Sequence, residues 1–368
     1  MSAKDLPMWA QYAGYLGVRS LLSLPLIAGV SPSLHAARVI ARAMARSPLN
    51  RKRLARAHRH LEVAFPEWDE DRRRRIASAG YEHMAMLAVE VLFAARLLTS
   101  EGWVRHVELG DLRRAMRVLT SDRPVILITG HNGNWEVLGY ALALLGYPIS
   151  AVYRPLDLLP LDAWIRRTRA RRGIQLIDKF GAAEVVPKLL EQREPVGFVA
   201  DQNGGDRGTF VPFFGRLASA YKSIGLVAMQ HQALIVCGQA RRMGWDNDPD
   251  MAAKIHAEHD GFLFRVELED MFGPDEYMNQ PDPAFYLTAR YRRAIENMIR
   301  RAPTDYLWMH RSWRSRPRHE RLDRPFPDAL KEKLAALPWL DDAAVDALID
   351  RSDRDRATLR ELGVDKLP

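Results

Sequence analysis

Residues Ile126-Leu-Ile-Thr-Gly-His-Asn-Gly-Asn-Trp-Glu136 place one histidine and one glutamate five positions apart, where an apolar run gives way to a polar turn. Imidazole titrates near neutrality, and a carboxylate on its far nitrogen would hold one tautomer and stabilise the imidazolium formed on proton uptake. On a continuous helix residues five apart diverge by about 140°, so His131 and Glu136 could not face each other there. A turn must intervene. Gly133 permits it and Asn134 can fix it by bonding to backbone, after which Glu136 is expected to reach the imidazole. With no serine or cysteine beside the pair, the expected chemistry is deprotonation of a substrate hydroxyl with direct transfer, not a covalent enzyme intermediate.

Three further segments carry residues of the right type: Tyr153-Arg154-Pro155, Asp201-Gln202 and Val211-Pro-Phe-Phe-Gly-Arg216. Arginine grips phosphate or carboxylate with two parallel hydrogen bonds, so Arg154 and Arg216 are candidate substrate clamps; the plain alternative is a solvated arginine. Among the eleven histidines, His58 with His60 and His256 with His259 have ligand-like intervals. No carboxylate set with zinc spacing accompanies them, and the reaction needs neither metal nor cofactor.

Regular elements must position these groups. Val125–Ile128, Ile149–Val152, Ile174–Ile177 and Val196–Ala200 read as short buried strands, and helical stretches over 137–145, 163–171 and 182–190 separate them. Such alternation predicts an α/β fold, a mostly parallel central sheet covered by helices on both faces. Leu234–Cys237 and Phe262–Val266 read as further strands and Ala284–Arg300 as a long helix. Ligands of open α/β sheets bind beyond the carboxyl ends of the strands, which is where His131, Arg154 and Asp201 fall.

The first 120 residues read as helical, with His83 on a packed face. Met8–Val30 is mostly apolar but interrupted by Arg19 and Pro25, so an interfacial or marginally spanning anchor and a full span both stay open. Ser31-Pro32 is a helix start. Arg38 to His60 holds eight Lys or Arg and no acid, within a formal net charge of +8. A basic run just after an apolar segment places the body on the cytoplasmic side of the membrane. No basic motif interleaved with aromatics suggests nucleic acid. The lone Cys237 rules out an intramolecular disulfide. The expected regions are an anchor over 1–30, helices over 31–120, an α/β core over 121–318, and over 319–368 a helical tail outside the chemistry.

His131-Asn-Gly-Asn-Trp-Glu136, Tyr153-Arg-Pro155, Asp201-Gln202, Phe210-Val-Pro-Phe-Phe-Gly-Arg216 and Tyr306-Leu-Trp-Met-His-Arg-Ser-Trp-Arg-Ser-Arg-Pro317 together resemble the bacterial lipid A late acyltransferases, within the wider glycerolipid and lysophospholipid acyltransferases. His-Leu-Glu-Val-Ala-Phe-Pro-Glu-Trp around Phe65 is similar to that family's helical amino-terminal part. The resemblance covers about residues 10 to 318 and implies an inner-membrane enzyme, facing the cytoplasm, that moves a fatty acyl group from acyl carrier protein or coenzyme A to a glycolipid hydroxyl. It implies His131 as general base, Glu136 as its partner, and Asn134, Arg154, Asp201, Gln202 and Arg216 lining the substrate site. An inositol-mannoside acyltransferase and a non-catalytic basic membrane-binding protein are the alternatives.

Overall fold

The computed structural model describes residues 5–111, 113–171, 173–245 and 249–367. Four helices open the chain: α1 (Met8–Ala28), α2 (Val30–Arg46), α3 (Arg51–Ala64) and α4 (Glu70–Leu97). The short strand β1 (Val107–Leu109) and helix α5 (Arg113–Leu119) lead into the alternating region: β2 (Val125–Thr129), α6 (Trp135–Leu144), β3 (Ile149–Tyr153), α7 (Leu159–Ala170), β4 (Ile174–Asp178), α8 (Ala182–Glu191) and β5 (Val196–Val199). A hairpin of β6 (Thr209–Phe213) and β7 (Arg216–Ala220) follows. After it come α9 (Lys222–Gln230), β8 (Leu234–Arg242), α10 (Pro249–His259), β9 (Phe264–Phe272), α11 (Pro274–Tyr277) and α12 (Pro283–Arg301). Three helices close the chain: α13 (Arg318–Arg321), α14 (Asp328–Ala335) and α15 (Asp342–Leu362).

The seven-stranded sheet runs β1-β9-β8-β2-β5-β3-β4, and every pairing is parallel except β8 with β9. The expected fold class is therefore observed. Strand β2 lies at the centre with apolar residues toward both layers, as a strand covered on both faces requires. On one side Ile126 and Ile128 pack with Ile224, Leu287 and Ile295; on the other α6 and α4 supply Val137, Tyr140 and Phe93. The β6–β7 hairpin, which takes in the Val211–Arg216 segment, forms its own two-stranded sheet. Its turn places Phe214 and Gly215 at positive φ.

Helix α1 lies against α2 and α7, and its half-way residue Arg19 sits over the Trp164 ring and donates to the Tyr15 hydroxyl at 2.7 Å. Its outer face exposes Trp9, Tyr12, Leu16, Leu21, Leu24 and Ile27, and α2 continues this apolar exposure through Val39, Ile40 and Met44. Among the described residues one helix, α4, is long and apolar enough to cross a membrane by length and composition; it packs against α2 and α3 within the body.

The tail departs from expectation. Instead of an appendage, α15 packs on β7 and buries Leu348 and Val345 in the main core. Asp355 of α15 takes two hydrogen bonds from Arg216, at 2.7 and 2.6 Å, and a third from Arg316 at 2.8 Å. Glu320 in turn holds Arg316 at 2.7 and 2.9 Å. Arg216 is thus a buried structural bolt and not a substrate clamp. Burial and the nearby Arg316 charge lower its pKa to about 10 against the opposing pull of Asp355, so it remains cationic.

Candidate active site

Strand β2 ends at Thr129, and the chain turns through His131 and Gly133 into α6. Gly133 has φ 57°, and a Cβ there would lie 2.3 Å from the Ala240 carbonyl, so both conformation and space require glycine. Asn134 caps α6: its side-chain oxygen accepts from the backbone N–H of Glu136 and Val137 at 3.1 and 3.0 Å. The expected turn is therefore present. Asn134 does not line the site, however. It is fully buried, and its amide donates to Glu90 at 2.9 Å.

Beneath the turn lies a charged network that the sequence reading did not find. Arg242 of β8 grips the Glu90 carboxylate with two hydrogen bonds, donates to Asp305 at 2.9 Å and faces the His83 Nδ1 at 3.0 Å. Burial would lower the Arg242 pKa, but the Glu90 and Asp305 charges reverse that and raise it above the usual arginine range. His83 is buried as expected; desolvation, then the Arg242 and His131 charges, keep it neutral. The backbone is tied in as well, since Gly133 N donates to the Asp305 carbonyl at 2.9 Å and Asn134 N to that of Ala240 at 2.8 Å. Although the His83 Nε2 is buried without a partner, the Arg242 ion pairs and these backbone bonds hold the turn in one conformation.

The partner of His131 is Asp201, not Glu136. Strand β5 lies beside β2, which brings residue 201 opposite residue 131, and the Asp201 Oδ1 accepts from the His131 Nδ1 at 2.7 Å. Burial alone would raise the Asp201 pKa, yet the His131, His310 and Arg292 charges, with the His131 hydrogen bond, draw it well below the usual carboxylate range. The carboxylate thus keeps the proton of a neutral His131 on Nδ1 and leaves Nε2 bare. The Gln202 amide nitrogen lies 3.4 Å from that Nε2.

Glu136 points elsewhere because it is in the first turn of α6, and there its carboxylate meets Arg169 of α7, which holds both oxygens. Burial raises the Glu136 pKa, opposed by the Arg169 charge and hydrogen bonds. Arg154 is exposed just past β3, whose strand is separated from β2 by β5, so Asp201 occupies the neighbouring place expected for Arg154. Two aromatic rings flank His131 at right angles or nearly so: Trp135 at 4.8 Å and His310 at 4.6 Å between centroids. Burial, then the His131 charge, lowers the His310 pKa to about 4.

From Trp135 and Glu136 a narrow cavity runs between the sheet and helices α5 and α6. Its walls are almost wholly apolar, including Leu119, Leu127, Leu138, Leu142, Leu176 and Phe198. His131, Asp201 and His310 also bring three potential ligand atoms within 4.8 Å of one another.

The site thus holds a histidine backed by a buried carboxylate, with the Gln202 amide at its outer nitrogen and an apolar cavity beyond Trp135. The bacterial lipid A biosynthesis acyltransferase profile matches residues 3–315. The chain belongs to that family. It is an acyltransferase. The Escherichia coli (strain K12) lipid A biosynthesis palmitoleoyltransferase is 26% identical over 281 residues, 75% of this chain and 83% of that one. The lauroyltransferase of the same organism is 26% identical over 277 residues, covering 73% and 81%. A lipid A biosynthesis acyltransferase of Haemophilus influenzae is 24% identical over 274 residues, covering 72% and 79%.

Proposed function

We propose that this acyltransferase moves a fatty acyl group from a thioester, on acyl carrier protein or coenzyme A, to a hydroxyl of a lipid A precursor. The observation that carries the reading is that His131, with Asp201 behind it, packs on Trp135, which lines the apolar cavity. The cavity suits an alkyl chain, which leaves the thioester near Trp135. Nε2 takes the proton of the acceptor hydroxyl as its oxygen attacks the thioester carbonyl; the imidazolium is stabilised by Asp201. Collapse of the tetrahedral adduct breaks the carbon–sulfur bond, and the same proton passes to the departing thiolate. Gln202 stands where it can hold the reacting oxygen. The Glu136–Arg169 pair fixes the start of α6 and with it Trp135 against His131.

The relatives' names, all lipid A acyltransferases, favour a lipid A precursor over an inositol mannoside as acceptor. The apolar outer faces of α1 and α2 favour a protein seated on the inner membrane at its cytoplasmic face, with α1 in the interface and not spanning it. Mass spectrometry of envelope lipids tests the whole reading. Cells lacking the gene should accumulate a lipid A species lighter by one acyl chain, restored by the wild-type gene and not by His131→Ala. An unchanged lipid A profile would sink it.

A further inference from the structure

The basic run through α2 and α3 is not uniform. Arg38 and Arg42 share the Glu82 carboxylate, each at 2.8 Å. One helix further on the cations gather more closely. Arg51, Lys52, Arg56 and Arg59 of α3 converge with Arg311 and Arg314, and with Lys366 near the chain end, on a cavity of about 680 Å³ whose lining has no acidic residue. Lys366 pairs with Asp206 at 3.2 Å. Among the described residues Arg51, Lys52, Arg56, Arg311 and Arg314 have no carboxylate within ion-pair distance. Arg56 makes one weak hydrogen bond, to the Met309 carbonyl at 3.3 Å, and its Nε is buried without an acceptor. Desolvation, then the charges of Arg311, Arg59, Arg53 and Arg314, lower its pKa.

Guanidiniums held together against their own repulsion, with a buried donor left unsatisfied, are arranged for an anion that arrives from outside. We infer that this cavity is a phosphate-binding subsite, in which Arg56, Arg311 and Arg314 grip a phosphate-bearing part of a substrate. The concave shape and the convergence of three chain segments suit a compact polyanion, and arginine forks match phosphate oxygens in pairs. The subsite adjoins the candidate active site through the chain itself: Arg311 follows His310, whose ring packs on His131. Two sources fit this chemistry, a phosphorylated glycolipid acceptor and the nucleotide phosphates of a coenzyme A donor. The assignment to a substrate rests on the acyl-transfer reading, whereas anion binding does not, so the two can fail separately.

The test uses the full chain in detergent and inorganic pyrophosphate, followed by titration calorimetry at constant ionic strength. Arg311 and Arg314 are exposed, so Arg311→Gln/Arg314→Gln should leave the melting temperature unchanged. It should weaken pyrophosphate binding at least about tenfold, since each charge-assisted pair contributes on that order. Arg171→Gln/Arg354→Gln removes the same charge from exposed sites elsewhere and should weaken it far less. Displacement of pyrophosphate by a bis-phosphorylated glucosamine disaccharide assigns the subsite to the acceptor; displacement by adenosine 3′,5′-bisphosphate assigns it to the donor. Either supports the proposal. It is overturned if neither competes, if both double variants bind alike, or if the Arg311/Arg314 variant loses only its hold on phosphatidylglycerol vesicles, which would make this face a membrane contact.

Discussion

Glu136–Arg169 and Arg216–Asp355 are the same chemistry, a guanidinium gripping both oxygens of a buried carboxylate, in two different surroundings. The first pair opens onto the apolar cavity and joins α6 to α7 one residue from Trp135. The second is held by Arg316, which Glu320 and Ser352 brace, joins the β6–β7 hairpin to the tail, and lines a separate, arginine-rich cavity beside α3. Residue type does not separate them; what each pair faces does. A buried ion pair is costly to break wherever it is, but only one of these two holds a wall of the site.

Experiments can break that distinction. The largest effect is expected at the centre of the site. His131→Ala should lower turnover by roughly a hundredfold to ten-thousandfold with an unchanged melting temperature, because a general base contributes on that order; retention of a tenth of the wild-type rate would remove it as the base. Asp201→Asn should follow closely, since it leaves the imidazolium without its charge.

Arg216→Leu should instead act on the fold. Leaving Asp355 buried without its bidentate partner should cost about 3–5 kcal/mol of stability, visible in chemical denaturation, while turnover per folded molecule stays near wild type. Should turnover fall in step with stability, the two pairs would not differ as argued. The sharper version uses Glu136→Gln/Arg169→Met, which removes both charges together. Stability should recover relative to Glu136→Gln alone, and turnover should stay low.

Acid should weaken the fold through histidines kept neutral by burial. The pKa of His60 is lowered to about 3, and those of His310 and His319 to about 4, in each case mainly by desolvation. In the unfolded chain these residues take up protons near pH 6.5, so between about 6.5 and 4 the unfolded state binds more protons. Stability is therefore full above that window and declines as pH falls through it. His319→Gln should flatten the decline in a series of melts against pH, whereas an identical slope would show that His319 is not one of its sources.

The smallest effect belongs to Arg154. It is exposed and stands one strand further from His131 than expected, so Arg154→Lys should raise the apparent KM for a phosphate-bearing substrate only a few-fold, in keeping with the loss of paired geometry but not charge. Unaltered kinetics would leave it a solvated arginine.

What the sequence disclosed was local. The strands at 125, 149, 174 and 196 were legible because short apolar runs alternate with helical segments, and the turn at Gly133 and Asn134 because its geometry needs those residues. The errors concern partners distant in the chain. Asp201 was placed at the site, but its pairing with His131 spans 70 residues and depends on β5 being the neighbour of β2. Nothing distinguishes Arg169 from the other arginines of α7, and Arg216 finds its partner in a tail that resembles no motif. Glu90, Arg242 and Asp305 come from three separate elements and meet only when α4, β8 and the segment after α12 are packed.

The bond from Gly133 N to the Asp305 carbonyl, and the bridge between Asn132 and Tyr306, bind the turn that carries His131 to residues made more than 170 positions later. A ribosome delivers the amino end first. The helices with apolar outer faces, and then His131 and Asp201, all emerge before the segment that clasps the turn. The nascent chain can thus meet a lipid surface well before it is competent to react, and a product cut short of residue 305 would have Asp201 in place after β5 but carry His131 on an unsupported turn.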